Sequence, residues 1–277
     1  MKSQILISVI LTVIFLSSCK KEQIATDNYR LEVETLVSTV IDGSETFYNT
    51  DKVFYYDQIG RLTGTGDHTT ISEHYEYTGE DSLVYYGLND TSVYLLNENR
   101  FPVMRFHSGN GGTQTDYHKD TTWYTYENYK LILQEKHELF SGVGITSYIV
   151  TETFYKYDSG DNLIADSTFD LITGAVISKS YYTYLPDEEH KDEIYFNQIN
   201  QFPYTGNMAN YLLDSKIMTQ IHDWGSVEWN SHFSYTMNEN GLPTEKTVNT
   251  TITETGAYTT ILTNSFRYSW EIVSDVI

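Results

Sequence analysis

At 277 residues the chain is long enough to bury a sizeable core in one or two domains. Lys+Arg 17 against Asp+Glu 38 gives a net charge of −21, a field that repels phosphate backbones and anionic lipid heads and argues against nucleic acid as a partner. Aromatics reach 15%, with 25 tyrosines, and tyrosine is a strand residue with a polar tip, so the composition favours pleated sheet over disorder.

The first predicted element is a leader. Met1-Lys2 is a short positive start, and Ile5 to Leu16 is an apolar run interrupted by Ser8 and Thr12. That run fits the core of a signal peptide, here residues 1–18, and falls short of the roughly 20 residues of a membrane-spanning helix. Leu16-Ser17-Ser18-Cys19 follows, and it resembles the bacterial lipobox. The resemblance implies that Cys19 becomes the acylated first residue of the mature protein and holds it on a membrane, since each buried methylene contributes about 0.8 kcal/mol. Cys19 is also the only cysteine, which excludes an intramolecular disulfide and a cysteine-based zinc site. Lys20 stands where an aspartate would imply inner-membrane retention, so the resemblance implies the outer membrane. Lys20-Lys21-Glu22 resembles a charged surface-export tag, which leaves the periplasmic face and the cell surface both open. Residues 19–28 read as a polar tether.

From Tyr29 to the C-terminus the chain reads as a single β-rich domain, 29–277. Leu31, Val33 and Thr35 alternate along one strand, and Asp42-Gly43-Ser44 is a turn. Phe54-Tyr55-Tyr56-Asp57-Gln58-Ile59-Gly60-Arg61-Leu62 then reads as strand, tight turn, strand, with Asp and Gly supplying the turn chemistry. Looser copies turn at Gly79, Asn97-Glu98-Asn99, Glu127-Asn128, Asp158-Ser159-Gly160 and Asn238-Glu239-Asn240-Gly241. Thr173-Gly174-Ala175 and Thr255-Gly256-Ala257 mark a second turn type at the opposite end of the hairpins. The spacing between the two turn types leaves strands of about ten residues, near 33 Å.

One segment departs from this series. Residues 186–224 read as an irregular insertion, with a charged loop from Pro186 to Glu193, the sequence Phe202-Pro203-Tyr204, and a short helix over Asn210–Lys216. Alternation returns beyond it. Val227, Trp229, Ser231, Phe233, Tyr235 and Met237 share one face, opposite Glu228, Asn230, His232, Ser234 and Thr236. Tyr258 to Ile272 alternates in the same way. Antiparallel sheets with one wet face have this pattern. The expected fold is therefore all-β, a long-stranded antiparallel meander of hairpins forming one curved or partly closed sheet.

Tyr55, Tyr56, Asp57, Gly60, Arg61 and Leu62 are similar to the tyrosine-aspartate (YD, Rhs-type) repeat, and Tyr157, Asp158, Leu163, Asn238 and Gly241 keep parts of it. The chain as a whole resembles uncharacterised Gram-negative envelope lipoproteins with degenerate repeats of this kind. The resemblance implies hairpins of that type and an envelope location.

Little in the chain points to chemistry. Eight histidines are present, among them His107 and His118 flanking Gly109-Asn110-Gly111-Gly112, and none has the helical spacing of a metal-binding pair. No metal site, cofactor or catalytic residue is expected: there is no nucleophile elbow and no phosphate loop. Trp224, Trp229 and Tyr204 are the candidates for stacking against a ligand, although cross-strand aromatic pairs use the same residues to hold sheets together. The expected function is a lipid-anchored, non-catalytic binding or scaffold module, with a glycan, peptide or partner protein as ligand. The alternatives are a glycan-active hydrolase of the envelope and a purely structural spacer.

Overall fold

The computed structural model describes residues 28–58, 61–79, 81–110, 117–142, 145–189, 211–255 and 259–273. The leader, Cys19 and Tyr204 lie outside the described residues.

Strands follow one another along the whole described chain. They are β1 (Asn28–Ile41), β2 (Ser44–Tyr56), β3 (Leu62–Gly66), β4 (Ile71–Tyr77), β5 (Ser82–Tyr86), β6 (Asp90–Leu96), β7 (Pro102–Asn110) and β8 (Tyr117–Glu127). Then come β9 (Lys130–Gly142), β10 (Ile145–Tyr157), β11 (Leu163–Asp170), β12 (Val176–Glu189), β13 (Tyr211–His222), β14 (Gly225–Met237), β15 (Pro243–Glu254) and β16 (Thr259–Val273). Each pairs antiparallel with its sequence neighbours, and β1 also pairs with β16, from Asn28↔Val273 to Ile41↔Leu262. The meander is as expected, but the sheet closes completely into a barrel, which corrects the curved or partly closed sheet. Closure removes two long edges of unpaired N–H and C=O groups and lets the opposite wall cover the aromatic face.

The region 186–224 is also corrected. Residues up to Glu189 belong to β12, and Tyr211–His222, which covers nearly all of the expected helix, is β13. Its ladders to both neighbours, Tyr182↔Lys216 on one side and Lys216↔Ser231 on the other, override the local helical pattern. What remains of the insertion, residues 190–210, lies outside the described residues.

The two ends of the barrel are built differently. At one end, here called the floor, sit the Asx corners and the outer ends of β1 and β16. Asp57, Asn97, Asp158 and Asn238 each donate their own N–H to the carbonyl four residues on, at 2.9 Å. Each side-chain Oδ1 accepts the amide of that same residue: Arg61 at 2.9 Å, Phe101 at 3.0 Å, Asn162 at 2.9 Å and Leu242 at 2.9 Å. A short acceptor on the side chain thus satisfies a turn amide that the ladder cannot reach. Asn128 and Tyr129 make the tightest floor turn, both at positive φ.

Next to most of these corners the ladder slips by one residue. The skipped residues are Glu32, Thr63, Val103, Ile132, Ile164, Asp214 and Thr244. Each directly follows the residue that turns into the barrel: Leu31, Leu62, Pro102, Leu131, Leu163, Leu213 and Pro243. A bulge bends its strand and re-aims side chains, and here it repeats around the rim. With Leu83 and Leu242 these residues form a fully buried apolar floor.

Tyrosines lock this floor. Hydroxyls on even-numbered strands donate to leucine carbonyls on the preceding odd strands: Tyr56 to Leu31 at 2.8 Å, Tyr77 to Leu62 at 3.0 Å, Tyr157 to Leu131 at 3.0 Å, Tyr184 to Leu163 at 2.6 Å and Tyr235 to Leu213 at 2.9 Å. Trp270 Nε1–H plays the same part toward the Pro243 carbonyl at 2.6 Å. The bulge frees the carbonyl, and the phenol satisfies it.

The buried face is the lumen. One apolar cluster joins Leu31, Phe54, Leu62, Tyr75, Leu83, Tyr94, Tyr268 and Leu212, so side chains from β2 to β6 meet one from β13 across the barrel. The opposite, outer face is mainly hydrophilic along β14, β15 and β16, with Ile261 the exposed apolar residue among them. Glu228, His232, Ser234 and Thr236 lie outward on β14. Glu245, Asn249, Thr251 and Thr253 do so on β15, and Arg267 and Ser269 on β16. Across β6 to β10 the outside carries Leu95, Phe106, Tyr148 and Phe154, interspersed with Lys119, Glu135, His137 and Glu152.

Leu163 at 0% exposure and Leu171 at 45% differ in environment but not in side chain, and they calibrate the floor. Leu163→Ala is expected to cost about 2–5 kcal/mol in urea denaturation, and Leu171→Ala under about 0.5 kcal/mol. Tyr157→Phe, which leaves the Leu131 carbonyl without its donor, is expected to cost about 1–3 kcal/mol in the same assay.

Candidate functional site

Above the floor lies a layer of buried tyrosines: Tyr75, Tyr94, Tyr124, Tyr182 and Tyr268. Burial pushes the hydroxyls of Tyr94, Tyr124, Tyr182 and Tyr268 above the ordinary phenol value, so they stay protonated. Cations are set among them. Lys246 Nζ sits 4.8 Å from the centre of the Phe266 ring and 5.4 Å from that of Tyr268, with Glu34 at 3.9 Å. Burial pushes the Lys246 ammonium down to about 8, and Glu34 opposes that shift. Lys216 lies 5.6 Å from the Tyr182 ring centre, with its ammonium likewise lowered by burial against the pull of Asp166.

The next level toward the mouth is polar and half-buried, and it is concentrated on β7, β8 and β9. Arg105, His107, His118, Asp120, Thr122, Lys136 and Glu138 alternate with outward residues on these three strands. The ladder pairs His107↔Asp120 and Asp120↔Glu138, so groups far apart in the chain become neighbours on one wall. Asp120, with its side chain 1% exposed, is the hub. Its Oδ1 accepts from Arg105 Nη2 at 2.5 Å and from the Thr122 hydroxyl at 3.1 Å. Its Oδ2 faces His118 Nε2 at 3.8 Å and Lys136 Nζ at 3.9 Å. Burial works against the Arg105 charge, but the Asp120 carboxylate bonded to it keeps the guanidinium above even its ordinary value.

The two imidazoles stand 5.2 Å apart, centre to centre. The Ser92 hydroxyl meets His107 Nδ1 at 2.9 Å, and burial pushes the His107 pKa below its ordinary value. His118 Nε2 lies 2.8 Å from Glu138 Oε1, yet it is shielded from solvent and makes no hydrogen bond. The contact has the distance of an ion pair without the alignment of a ring N–H donor, since such bonds weaken steeply as they bend. Glu138 Oε2 accepts from Lys136 at 2.5 Å.

The stacking candidates are not brought together. Trp224 is in the mouth turn between β13 and β14, 59% exposed, and stacks face to face on His222 at 4.7 Å. Trp229 points into the lumen on β14, paired with Met218 and Ile252. It lies four residues beyond Gly225, about 13 Å down the strand. The β7–β9 wall was missed because linear spacing hides a cross-strand cluster. The available signal was the phase: His118, Asp120 and Thr122 alternate in step with Tyr124 and Tyr126, so all five had to share the aromatic face.

No protein-family model matches the chain, and no curated protein matches it. Solved structures do. A porin-like protein from Bacteroides vulgatus ATCC 8482 is similar with a TM-score of 0.54 at 12% identity, over 85% of this chain and 98% of that one. A porin-like protein from Bacteroides uniformis ATCC 8492 gives 0.55 at 15% identity, over 87% and 96%. The chain shares the fold of these barrels. At such identities the likeness extends to the fold alone.

The Lys246 ammonium sets a test of the tyrosine layer. Its folded pKa lies below its unfolded value near 10.4, so the unfolded chain binds the extra proton between the two values and stability rises with pH there. Between pH 8 and 10 the wild-type protein should gain stability relative to Lys246→Met, as read from paired urea denaturations. Parallel curves for the two proteins would rule out a depressed Lys246.

Proposed function

We propose that this protein is a lipid-anchored module of the outer membrane, standing in water on its tether, which binds a ligand in the lumen of a barrel that does not itself span the bilayer. The observation that carries this reading is the direction of the two sheet faces along β14, β15 and β16. A membrane-spanning barrel turns an apolar band about 25 Å tall toward lipid and keeps its polar residues inside. Here Glu228, His232, Glu245, Asn249 and Arg267 face outward, while Trp229, Phe233, Tyr235 and Phe266 face the lumen. Charged groups at the lipid-facing midplane cost about 2–4 kcal/mol each for Lys and Arg.

The floor supports the same reading. A conducting pore needs an open lumen, and Leu62, Leu83, Leu131, Leu163 and Leu242 are at most 1% exposed across the floor end. β1 starts at that end with Asn28, so the chain enters the barrel on the floor side, opposite the mouth. The ligand class remains a glycan, a peptide or a partner protein. Trp229 in the lumen and Trp224 at the mouth supply apolar surfaces, and Arg105, Asp120, Lys136 and Glu138 supply polar ones. The wall carboxylates are tied to cations, Asp120 to Arg105 and Glu138 to Lys136, which favours recognition over general acid–base work.

The test compares the full chain with Cys19→Ala. The wild type should take up palmitate label and partition with membranes. The variant should do neither, stay monodisperse without detergent, and open no conducting steps in a planar bilayer. Detergent-dependent solubility of Cys19→Ala, or channel activity from either protein, would establish a membrane-spanning barrel instead.

A further inference from the structure

We infer that His107, His118, Asp120 and Glu138 form a binding site for a divalent transition metal of the zinc class on the β7–β9 wall. One ligand atom from each of His107, His118 and Asp120 lies within 4.8 Å of the others. Glu138 Oε1 is closer still to His118 Nε2, at 2.8 Å. Donors about 2.0–2.2 Å from a tetrahedral zinc stand about 3.4 Å from one another. The spacings of 2.8 Å and up to 4.8 Å fall on either side of that value, and rotamer shifts of about 1 Å close the triad of His107, His118 and Asp120, which Glu138 joins through His118. Two imidazoles with two carboxylates suit zinc, cobalt or nickel, whereas magnesium and calcium take all-oxygen sites.

The surroundings match what a metal site asks of its neighbours. His107 Nδ1 is held by the Ser92 hydroxyl, which orients the ring and leaves Nε2 for the ion. The Asp120 carboxylate is pinned through Oδ1 by Arg105 and Thr122, which leaves Oδ2 facing His118. His118 Nε2 is buried without a hydrogen bond, although a buried polar atom normally has one. A cation between His118, Asp120 and Glu138 satisfies that nitrogen and both carboxylates at once.

Lys136 is the competing occupant. Its ammonium reaches Glu138 Oε2 at 2.5 Å and approaches Asp120 Oδ2 at 3.9 Å, so without an ion it balances the same carboxylates. Its side chain is 25% exposed and can leave toward the lumen when a dication enters. The site needs only the barrel wall, so it is independent of the lipid anchor: Cys19→Ala leaves it intact, and the two readings fail separately.

The experiment titrates the metal-stripped, full-length protein with zinc chloride in a calorimeter and with cobalt(II) in the visible range. One tight equivalent is expected, with cobalt bands of four-coordinate intensity. His118→Ala and Asp120→Asn should each weaken zinc at least about tenfold, the scale on which ligand-shell changes act. Lys136→Met should tighten it by removing the competitor, and His232→Ala, on the outer face, should leave it unchanged. Should His118→Ala fail to give a β-sheet circular-dichroism spectrum, His107→Gln is read in its place. No bound equivalent in the wild type, or affinity that survives loss of His118 and Asp120, overturns the site. So does loss of affinity in His232→Ala, which marks surface binding only.

Discussion

The barrel depends on one repeated arrangement: a bulge that frees a carbonyl, and a phenol from the adjacent strand that satisfies it. Leu31, Leu62, Leu131, Leu163 and Leu213 each turn into the lumen just before a slipped residue, and Tyr56, Tyr77, Tyr157, Tyr184 and Tyr235 donate to them. Without the donor, each bulge would bury an unpaired carbonyl in an apolar floor, at a cost of about 1–3 kcal/mol. Without the bulge, the leucine would point along the wall and the floor would stay open. Five of the 25 tyrosines serve in this way. The residue brings a large apolar body to the lumen and a hydrogen-bond donor to the backbone, as Trp270 does with its indole N–H toward Pro243.

The floor in turn fixes what the lumen can be. Above the buried leucines of the floor, the wall grades through tyrosine to the charged groups of β7, β8 and β9. The short strands β3 to β6 make that side of the rim low, and the longer strands around the rest make it high. Arg105, Lys246 and Lys216 are held by aromatic rings and carboxylates, so the inner charges are compensated locally despite a net charge of −21 for the whole chain.

The likeness to porin-like barrels and the face polarity of this chain speak to different questions. The overall fold is what the likeness shares. Which face carries apolar side chains belongs to the individual sequence. Along β14 to β16 this sequence places Trp229, Phe233, Tyr268 and Trp270 inside and mainly threonine, asparagine and charge outside, with Ile261 among them. The same hydrogen-bonded cylinder can therefore stand in lipid or in water, according to a two-residue alternation that leaves the backbone unchanged.

By itself the sequence determined most of the strands of the meander, the corners at Asp57, Asn97, Asp158 and Asn238, and the buried face of β14. These are local: alternation fixes the face, and an Asx side chain four residues from its amide partner fixes the turn. The tertiary structure alone decided closure, because the pairing of β1 with β16 joins residues more than 200 positions apart and leaves no trace in any window of sequence. It decided that Tyr211–His222 is a strand, where ladders on both sides outweigh a weak helical pattern. It also assembled His107, His118, Asp120 and Glu138, whose linear spacing carries no signal, because cross-strand register makes neighbours of residues that lie on successive strands.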